Sequence, residues 1–253
     1  MLAWPPMARL SVNLNKIALL RNSRRTGVPD LRPFARLAIE AGAQGITVHP
    51  RPDERHIRRS DVPMLAQAIA AWRPHVELNI EGYPDARLLE IAAEVRPEQC
   101  TLVPDAPDAF TSEEGFKLGP DQMALVRPAI ARLKGMGARV ILFIDPDPGV
   151  LDRIPESGAD GVEIYTGSYA AAFRTGAHDA LLGACATTAR AAADRGLVVN
   201  AGHDLNLHNL PPLVGRIPHL AEASIGHELT ADALVMGFAA AVNAYATALA
   251  TKP

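Results

Sequence analysis

Titratable side chains follow a strand-like stretch in the segment GITVHPRPDERHI (45–57). The first residues are β-branched and suit a buried strand, whereas His49, Arg51 and His56 come directly after it. Imidazole gains and loses protons near neutral pH, and a guanidinium group binds phosphate or carboxylate. These residue types predict acid–base chemistry on an anionic ligand.

Other polar residues stand at or just after similar short apolar runs. They are Asn13, Asn15, Lys16, Glu77, Asn79, Glu81, Asp145, Glu163, Thr166, Asn200, His203 and His227. Clustered, partly dehydrated charges are costly unless partnered, so their recurrence at run ends favours a functional cavity. Glu77 and Glu163 lie within their runs, and each is either a general base with a shifted pKa or part of a structural ion pair.

Two Gly-His pairs, Gly202-His203 and Gly226-His227, close the last two runs. Glycine lets backbone N–H groups approach an anion, and a following helix N-terminus adds positive potential. Arg24, after the first run, is a further cation for a phosphorylated ligand. A metal site is not predicted, because no H-x-H or H-E-x-x-H pattern follows the runs where one would be expected.

The positioning elements are eight strand-like runs that alternate with helix-like segments. The runs are 9–15, 45–50, 76–81, 100–104, 139–145, 161–167, 197–203 and 222–227. Eight such units in 253 residues predict an α/β fold, a single-domain (β/α)₈ TIM barrel over residues 1–253 with extra helices. An open doubly wound sheet is the alternative, but its Gly-rich first turn is absent.

Helices are predicted from apolar residues at helical spacing. The segments are 31–43, 86–95, 123–138, 181–196 and a long terminal helix over 230–250. Gly42, Gly137 and Gly196 are predicted C-caps, and Thr230 is a predicted N-cap of the terminal helix. The long segment 104–121 is predicted to be a lid loop.

The composition is that of a globular protein, with 48% hydrophobic and 21% charged residues. A net charge of −3 gives no reason to expect nucleic-acid or membrane partners. No apolar run is long enough for a membrane span, and the N-terminus does not read as a signal peptide. Cys100 and Cys185 lack motif spacing, which favours free thiols in the cytoplasm.

Eight stretches resemble the pyridoxine 5′-phosphate synthase family, in family order and over nearly the whole chain. They are SVNLNKIALLRNSR, AGAQGITVHPRPDERHI, VELNIEGYPD, CTLVPDAP, FIDPD, EIYTGSYA, VNAGHDLN and SIGHEL. The resemblance implies that 3-amino-2-oxopropyl phosphate condenses with 1-deoxy-D-xylulose 5-phosphate. The products would be pyridoxine 5′-phosphate, inorganic phosphate and water. It also implies no cofactor or metal, and a homo-octamer.

The resemblance also implies roles for individual residues. His49 and Glu77 would accept protons, His203 would donate one, and Glu163 would stabilise charge. Asn13, Arg24, Gly226 and His227 would contact the aminoketone phosphate, and Arg51, His56 and Thr111 the deoxyxylulose phosphate.

Three residues, at two places in the chain, depart from the family pattern. Asn15-Lys16 stands where Asp-His is usual, and Asp204 replaces a glycine. All three are still expected to bind substrate. Lys16 is a permanent cation where a titratable ring is usual, and Asp204 would either orient His203 or crowd the phosphate. The alternatives are an aldolase or epimerase acting on a phosphosugar, and a barrel that binds phosphorylated metabolites without turnover.

Overall fold

A computed structural model describes residues 7–105 and 114–250. Eight parallel strands close into a barrel in sequence order, which confirms the (β/α)₈ prediction. The strands are β1 Arg9–Asn13, β2 Gly45–Val48, β3 Glu77–Gly82, β4 Gln99–Leu102, β5 Arg139–Ile144, β6 Gly161–Tyr165, β7 Val198–Gly202 and β8 Glu222–Ile225. Each overlaps one of the eight predicted runs.

Helices and one 3₁₀ turn (Pro148–Arg153) surround the barrel. They are α1 Asn15–Asn22, α2 Leu31–Glu40, α3 Asp61–Ala68, α4 Ala86–Val95, α5 Pro120–Gly135, α6 Ile154–Ser157, α7 Gly167–Phe173, α8 Asp179–Asp194, α9 Leu210–Arg216, α10 His227–Met236 and α11 Phe238–Ala250. The carboxylates of Asp30 and Asp85 cap α2 and α4 by accepting hydrogen bonds from backbone N–H groups, which fixes where these helices begin.

The ends of the helices follow the glycine pattern with one correction. Gly42, Gly137 and Gly196 adopt positive φ just after helices, as predicted. The prediction of a single terminal helix over 230–250 is wrong, because Gly237 has a φ of +85° and separates α10 from α11. Thr230 therefore lies inside α10, and Gly226 occupies the N-cap instead.

The strands place apolar residues outward against the helices. Leu10, Ile46, Leu78 and Ile80 have at most 1% of their surface exposed. Each such burial stabilises the fold by about 1.5–3 kcal/mol. Since side chains alternate along a strand, the intervening residues point into the barrel.

Polar side chains link four consecutive strands inside the barrel. The Ser11 and Thr47 hydroxyls are 2.6 Å apart, and Asn79 Nδ2 donates to Thr47 Oγ1 at 3.3 Å. Thr101 Oγ1 in turn donates to Asn79 Oδ1 at 3.2 Å. All four are at most 1% exposed, so this chain of hydrogen bonds satisfies polar groups that have little access to bulk water.

The amino-terminal end of the barrel interior holds a network of charges. Glu77, the first residue of β3, accepts hydrogen bonds from Arg9 Nη1 at 2.8 Å and from both terminal nitrogens of Arg139. Gln99 accepts from Arg139 and donates to Glu222. Burial favours a higher pKa for Glu77, but the two guanidinium groups outweigh it and lower that pKa below its ordinary value.

We expect Glu77→Gln to lower the free energy of unfolding by about 2 kcal/mol, because it leaves two partly buried guanidinium groups without their counter-charge. Since the folded-state pKa is depressed, this contribution is complete above the ordinary carboxyl pKa of 4.5 and is lost as pH falls through the lower folded value. Urea unfolding at several pH values measures the difference.

The matched control is Glu90→Gln, at an exposed position on α4. An equal loss of stability in both variants would contradict the ion-pair role of Glu77. So would a difference in the free energy of unfolding between wild type and Glu77→Gln that does not become smaller in acid.

Candidate active site

The carboxyl-terminal strand ends surround an open cavity of about 380 Å³. Most of the predicted site residues line it, namely Asn13, Asn15, Lys16, His49, Arg51, His56, Glu163, His203, Asp204, Gly226 and His227. The structure therefore brings eleven of the fourteen together at one opening. Glu81, which the sequence placed at a run end without a role, also lines the cavity, and so do Arg55, Phe143 and Ser224, which the sequence did not single out.

Three predicted residues are not part of the described cavity. Glu77 belongs to the amino-terminal network, so the expectation that it stands among the other site residues is wrong. Arg24 is exposed after the end of α1 and does not line the cavity. Thr111 lies outside the described residues, so its contact with substrate stays a prediction.

Asparagine side chains connect β1 to the neighbouring wall of the cavity. Asn13 Nδ2 donates to Glu81 Oε2 at 3.2 Å, and Asn13 Oδ1 accepts from the backbone N–H of Asn15 at 2.9 Å. Asn15 Oδ1 accepts from the backbone N–H of His49 at 3.0 Å. A neutral amide at position 15 therefore has a defined task, which is to hold the backbone of His49.

A buried ion pair behind the cavity holds the loop that carries His49, Arg51 and His56. Arg21 donates to both Asp61 oxygens at 2.7 and 2.8 Å and to the backbone carbonyl of His56 at 3.1 Å. Since both side chains are about 7% exposed, solvent screens this pair weakly. The loop is therefore anchored to α1 and α3.

The two imidazoles of this loop are held in their neutral form. Burial and then the positive charge of Arg51 lower the pKa of His49 well below its ordinary value. Burial, Arg51 and Lys16 lower that of His56 to about 4. The His56 Nδ1 atom accepts from the backbone N–H of Ile57 at 2.9 Å. A neutral imidazole is ready to accept a proton from a bound substrate.

Arg51 is oriented by a residue that the sequence did not single out. Its Nη2 atom donates to Asp105 Oδ2 at 2.6 Å, and the two side chains are only 5% and 6% exposed. A carboxylate at one edge of a guanidinium group fixes the plane of that group. The arginine is thereby positioned before any ligand arrives.

Glu163 faces the cavity from β6 with one oxygen unengaged. Its Oε2 atom is buried and has no hydrogen-bond partner among the described residues. Burial, followed by the negative charges of Glu81 and Glu222, raises the pKa of Glu163 well above its ordinary value. Burial and the nearby negative charges therefore favour the protonated form of this carboxyl group, which can donate. Gly202 makes room for it, since a Cβ atom there would lie 2.3 Å from Glu163 Oε1.

His203 and Asp204 adopt unusual backbone conformations, with φ values of +90° and +57°. Such geometry costs of the order of 1–3 kcal/mol per residue and needs support from its surroundings. Thr166 provides support, because its hydroxyl lies 2.6 Å from the backbone carbonyls of both Gly202 and His203. The His203 ring also packs edge-on against Tyr165, with centroids 5.1 Å apart.

Asp204 lies beside the His203 imidazole. Its Oδ2 atom is 3.5 Å from His203 Nδ1, and this interaction is the main reason why the pKa of Asp204 is lowered. The carboxylate therefore lies close enough to act on the ring, and both effects raised by the sequence, orienting His203 and crowding the phosphate, stay predictions.

Metal-binding clusters and membrane-spanning helices are both absent from the described residues. No group of three or more His, Cys, Asp or Glu side chains in residues 7–105 and 114–250 is arranged to hold a metal ion. Within the same ranges, no helix has the length and apolar character needed to cross a membrane.

Comparison with known proteins identifies the family. A family model described as pyridoxal phosphate biosynthesis protein PdxJ matches residues 10–251. The chain belongs to the PdxJ family. Its curated relatives include proteins named pyridoxine 5′-phosphate synthase from Allorhizobium ampelinum and Brucella suis, each 50% identical over 244 residues. These alignments cover 94% and 96% of this chain and 96% and 99% of the relatives. This PdxJ protein is accordingly an enzyme of vitamin B6 biosynthesis.

Solved structures show the same architecture at much lower sequence identity. Mycobacterium tuberculosis tryptophan synthase superposes with a TM-score of 0.65 and 16% identity, covering 97% of this chain and 94% of that one. At this identity the likeness supports the barrel fold alone.

The buried environment of His49 and His56 predicts how their NMR signals respond to pH. In labelled protein, the imidazole resonances of His49 and His56 should show no protonation shift between about pH 8 and about pH 5.5, because burial and nearby cations disfavour the charged ring. The variants His49→Gln and His56→Gln assign the two sets of signals. If either ring titrates with a pKa near the ordinary histidine value, this wall of the cavity is open to water.

Proposed function

We propose that this PdxJ protein is a pyridoxine 5′-phosphate synthase that joins 3-amino-2-oxopropyl phosphate to 1-deoxy-D-xylulose 5-phosphate. The products are pyridoxine 5′-phosphate, inorganic phosphate and water. The observation that carries the proposal is that His49, Glu163 and His203 share one cavity with Arg51. Relatives with 50% identity that bear the name of this enzyme support it.

Two phosphorylated substrates require positive charge at two places. Lys16, Arg51 and Arg55 supply cations on one side of the cavity. On another side, Gly226 precedes α10, whose first residue is His227. The unpaired N–H groups at a helix N-terminus attract phosphate. In the proposal, Arg51 and His56 hold the deoxyxylulose phosphate, and the start of α10 holds the aminoketone phosphate.

Imine formation, loss of water and ring closure each require proton transfer. His49, which is neutral, accepts a proton in the proposed reaction. His203, oriented by Asp204, donates one to a leaving oxygen. Glu163 donates a hydrogen bond from its unengaged oxygen to charge that develops on the substrate.

The aldolase alternative has little structural support. An aldolase that forms a Schiff base needs a lysine whose amine reaches the substrate carbonyl. None of the eight described strands contains a lysine, and Lys16, at the start of α1, lies beside the cationic loop. An activity assay distinguishes the enzyme from a barrel that only binds phosphorylated metabolites.

The purified chain should form pyridoxine 5′-phosphate and inorganic phosphate when both substrates are added. His203→Asn should lower kcat by about 100-fold or more with little change in KM, because the amide cannot transfer the proton. Asparagine tolerates positive φ, so this variant keeps the local backbone conformation. Product absorbance and phosphate release measure turnover.

Binding of both substrates without product would contradict the proposed function and favour the binding barrel. A His203→Asn defect expressed entirely in KM would contradict the proton-donor role.

We also propose that the protein forms a homo-octamer in the cytoplasm. Large apolar side chains are exposed at the end of α10, where Leu234 is 80%, Val235 89% and Met236 44% exposed. Leu20 on the nearby α1 is 54% exposed. Large exposed apolar side chains on neighbouring helices are typical of interfaces between protein chains.

Val235→Glu should shift the assembly to a smaller species, because it places a charge on this apolar surface. Size-exclusion chromatography with light scattering measures the molar mass. Thr187→Glu, an exposed position on α8, is the matched control and should leave the mass unchanged. A monomeric wild-type protein, or an unchanged mass for Val235→Glu, would contradict this interface.

A further inference from the structure

We propose that Thr166 and Asn209 are positioning residues for His203. Together they hold the three successive carbonyl groups of residues 202–204 and so set where the His203 ring lies in the cavity. Neither is among the described residues that line the cavity. The inference rests on the proposed function, because it gives these two residues a task in the proton transfer that the proposal assigns to His203.

The segment that carries His203 needs to be held by its surroundings. His203 and Asp204 both have positive φ, at +90° and +57°, which residues other than glycine adopt only rarely. A backbone in this conformation persists only where neighbouring groups fix it. A return to ordinary angles would turn the Cα–Cβ bond of His203 and move its imidazole. The position of the ring therefore depends on the groups that hold this segment.

Thr166 holds the first two carbonyl groups. It comes directly after β6, and its hydroxyl lies 2.6 Å from the carbonyl oxygens of both Gly202 and His203. Its backbone N–H also donates to the Gly202 oxygen, at 2.9 Å. The residue is fully buried, so water does not compete for these hydrogen bonds. The end of β6, the strand of Glu163, is thus tied to the end of β7.

Asn209 holds the third carbonyl group. Its Nδ2 atom donates to the Asp204 oxygen at 3.1 Å, and its Oδ1 atom accepts from the backbone N–H of Asn206 at 2.8 Å. Asn209 is also fully buried, and its own backbone carbonyl accepts from the hydroxyl of Tyr169 at 2.7 Å. Since Tyr169 lies on α7, which begins directly after Thr166, both holds are tied to the same part of the barrel wall.

The side chains of Thr166 and Asn209 do not serve their own helices. Thr166 is the N-cap of α7 and Asn209 that of α9, where such residues ordinarily accept a hydrogen bond from the first turn of the helix. In the described first turns of α7 and α9, neither side chain makes that bond. Both are directed instead at the backbone around His203. Helix capping therefore does not account for them.

The place of the His203 ring matters for the proposed proton transfer. The ring lies between aromatic neighbours, with its centroid 5.1 Å from that of Tyr165 and 6.4 Å from that of Phe143. A proton donor must be within hydrogen-bond reach of the group that it protonates, and a displacement of about 1 Å can lower the rate by about 100-fold. Loss of the Thr166 hydroxyl should therefore affect turnover more than substrate binding.

The kinetic test compares Thr166→Val with Thr166→Ser. Valine keeps the shape of threonine but cannot donate a hydrogen bond, so kcat should fall by about 10-fold or more while KM for each substrate stays within about threefold. Serine restores the hydroxyl and should bring kcat to within about threefold of wild type. Thr188→Val is the matched control and should keep kcat. Thr188 is a fully buried threonine on α8 whose hydroxyl has no hydrogen-bond partner among the described residues.

NMR tests the position of the His203 ring without substrate. Because the ring packs edge-on against Tyr165, its proton signals depend on where it lies relative to that aromatic ring. His203→Asn assigns the signals. They should move in Thr166→Val and stay in place in Thr166→Ser and Thr188→Val. Asn209→Ala removes the third hold and should also move them and lower kcat.

Equal activity of the valine and serine variants at position 166 would overturn the inference. So would unchanged His203 signals in a folded Thr166→Val protein, or an equal loss of kcat in Thr188→Val. Circular dichroism checks that each variant is folded, and if Thr166→Val is not, Asn209→Ala decides by the same two measurements. A wild-type protein that forms no product overturns the proposed function instead, and the NMR comparison still decides whether Thr166 and Asn209 position the ring.

Discussion

A closed barrel of parallel strands forces every second side chain inward, and in this protein many of those inward positions are polar. Buried polar groups require partners, so the hydrogen bonds from Ser11 through Thr47 and Asn79 to Thr101 fix the strands in one register. A slip of one residue would turn these groups outward and break the chain of hydrogen bonds. The arrangement of the cavity depends on this register.

The same register divides the charged residues between two ends with different chemistry. At the amino end, paired arginines favour the ionised form of Glu77. At the carboxyl end, burial and like charges keep His49, Glu81 and Glu163 at or near their neutral forms. Groups of this kind exchange protons readily, which suits a reaction with several proton transfers. One end of the barrel stabilises the fold, and the other is arranged for chemistry.

Sequence reasoning located the elements well because each has a local signal. β-branched runs predicted all eight strands, and glycine marked helix ends through its positive φ. The same conformational freedom explains one failure, since Gly237 interrupts an otherwise continuous apolar pattern and divides the terminal helix. Most of the cavity was predicted because carboxyl ends of parallel strands converge.

The local sequence does not show how far along the barrel axis a residue lies. Alternation shows that Glu77 and Glu81 point the same way, but only the pairing of β3 with its neighbours decides which of them reaches the opening. Arg24 lies away from the described cavity for a similar reason, because the chain direction after α1 depends on packing, and its contact with substrate stays a prediction. Asp105 carries no motif, and its contact with Arg51 arises from two loops that are distant in sequence.

A crystal structure with 1-deoxy-D-xylulose 5-phosphate bound would test the central claim most directly. The account predicts the phosphate beside Arg51 and His56, with the carbon chain between Glu81 and His203. A ligand bound at the amino end beside Glu77, or on the outer surface of the barrel, would contradict it.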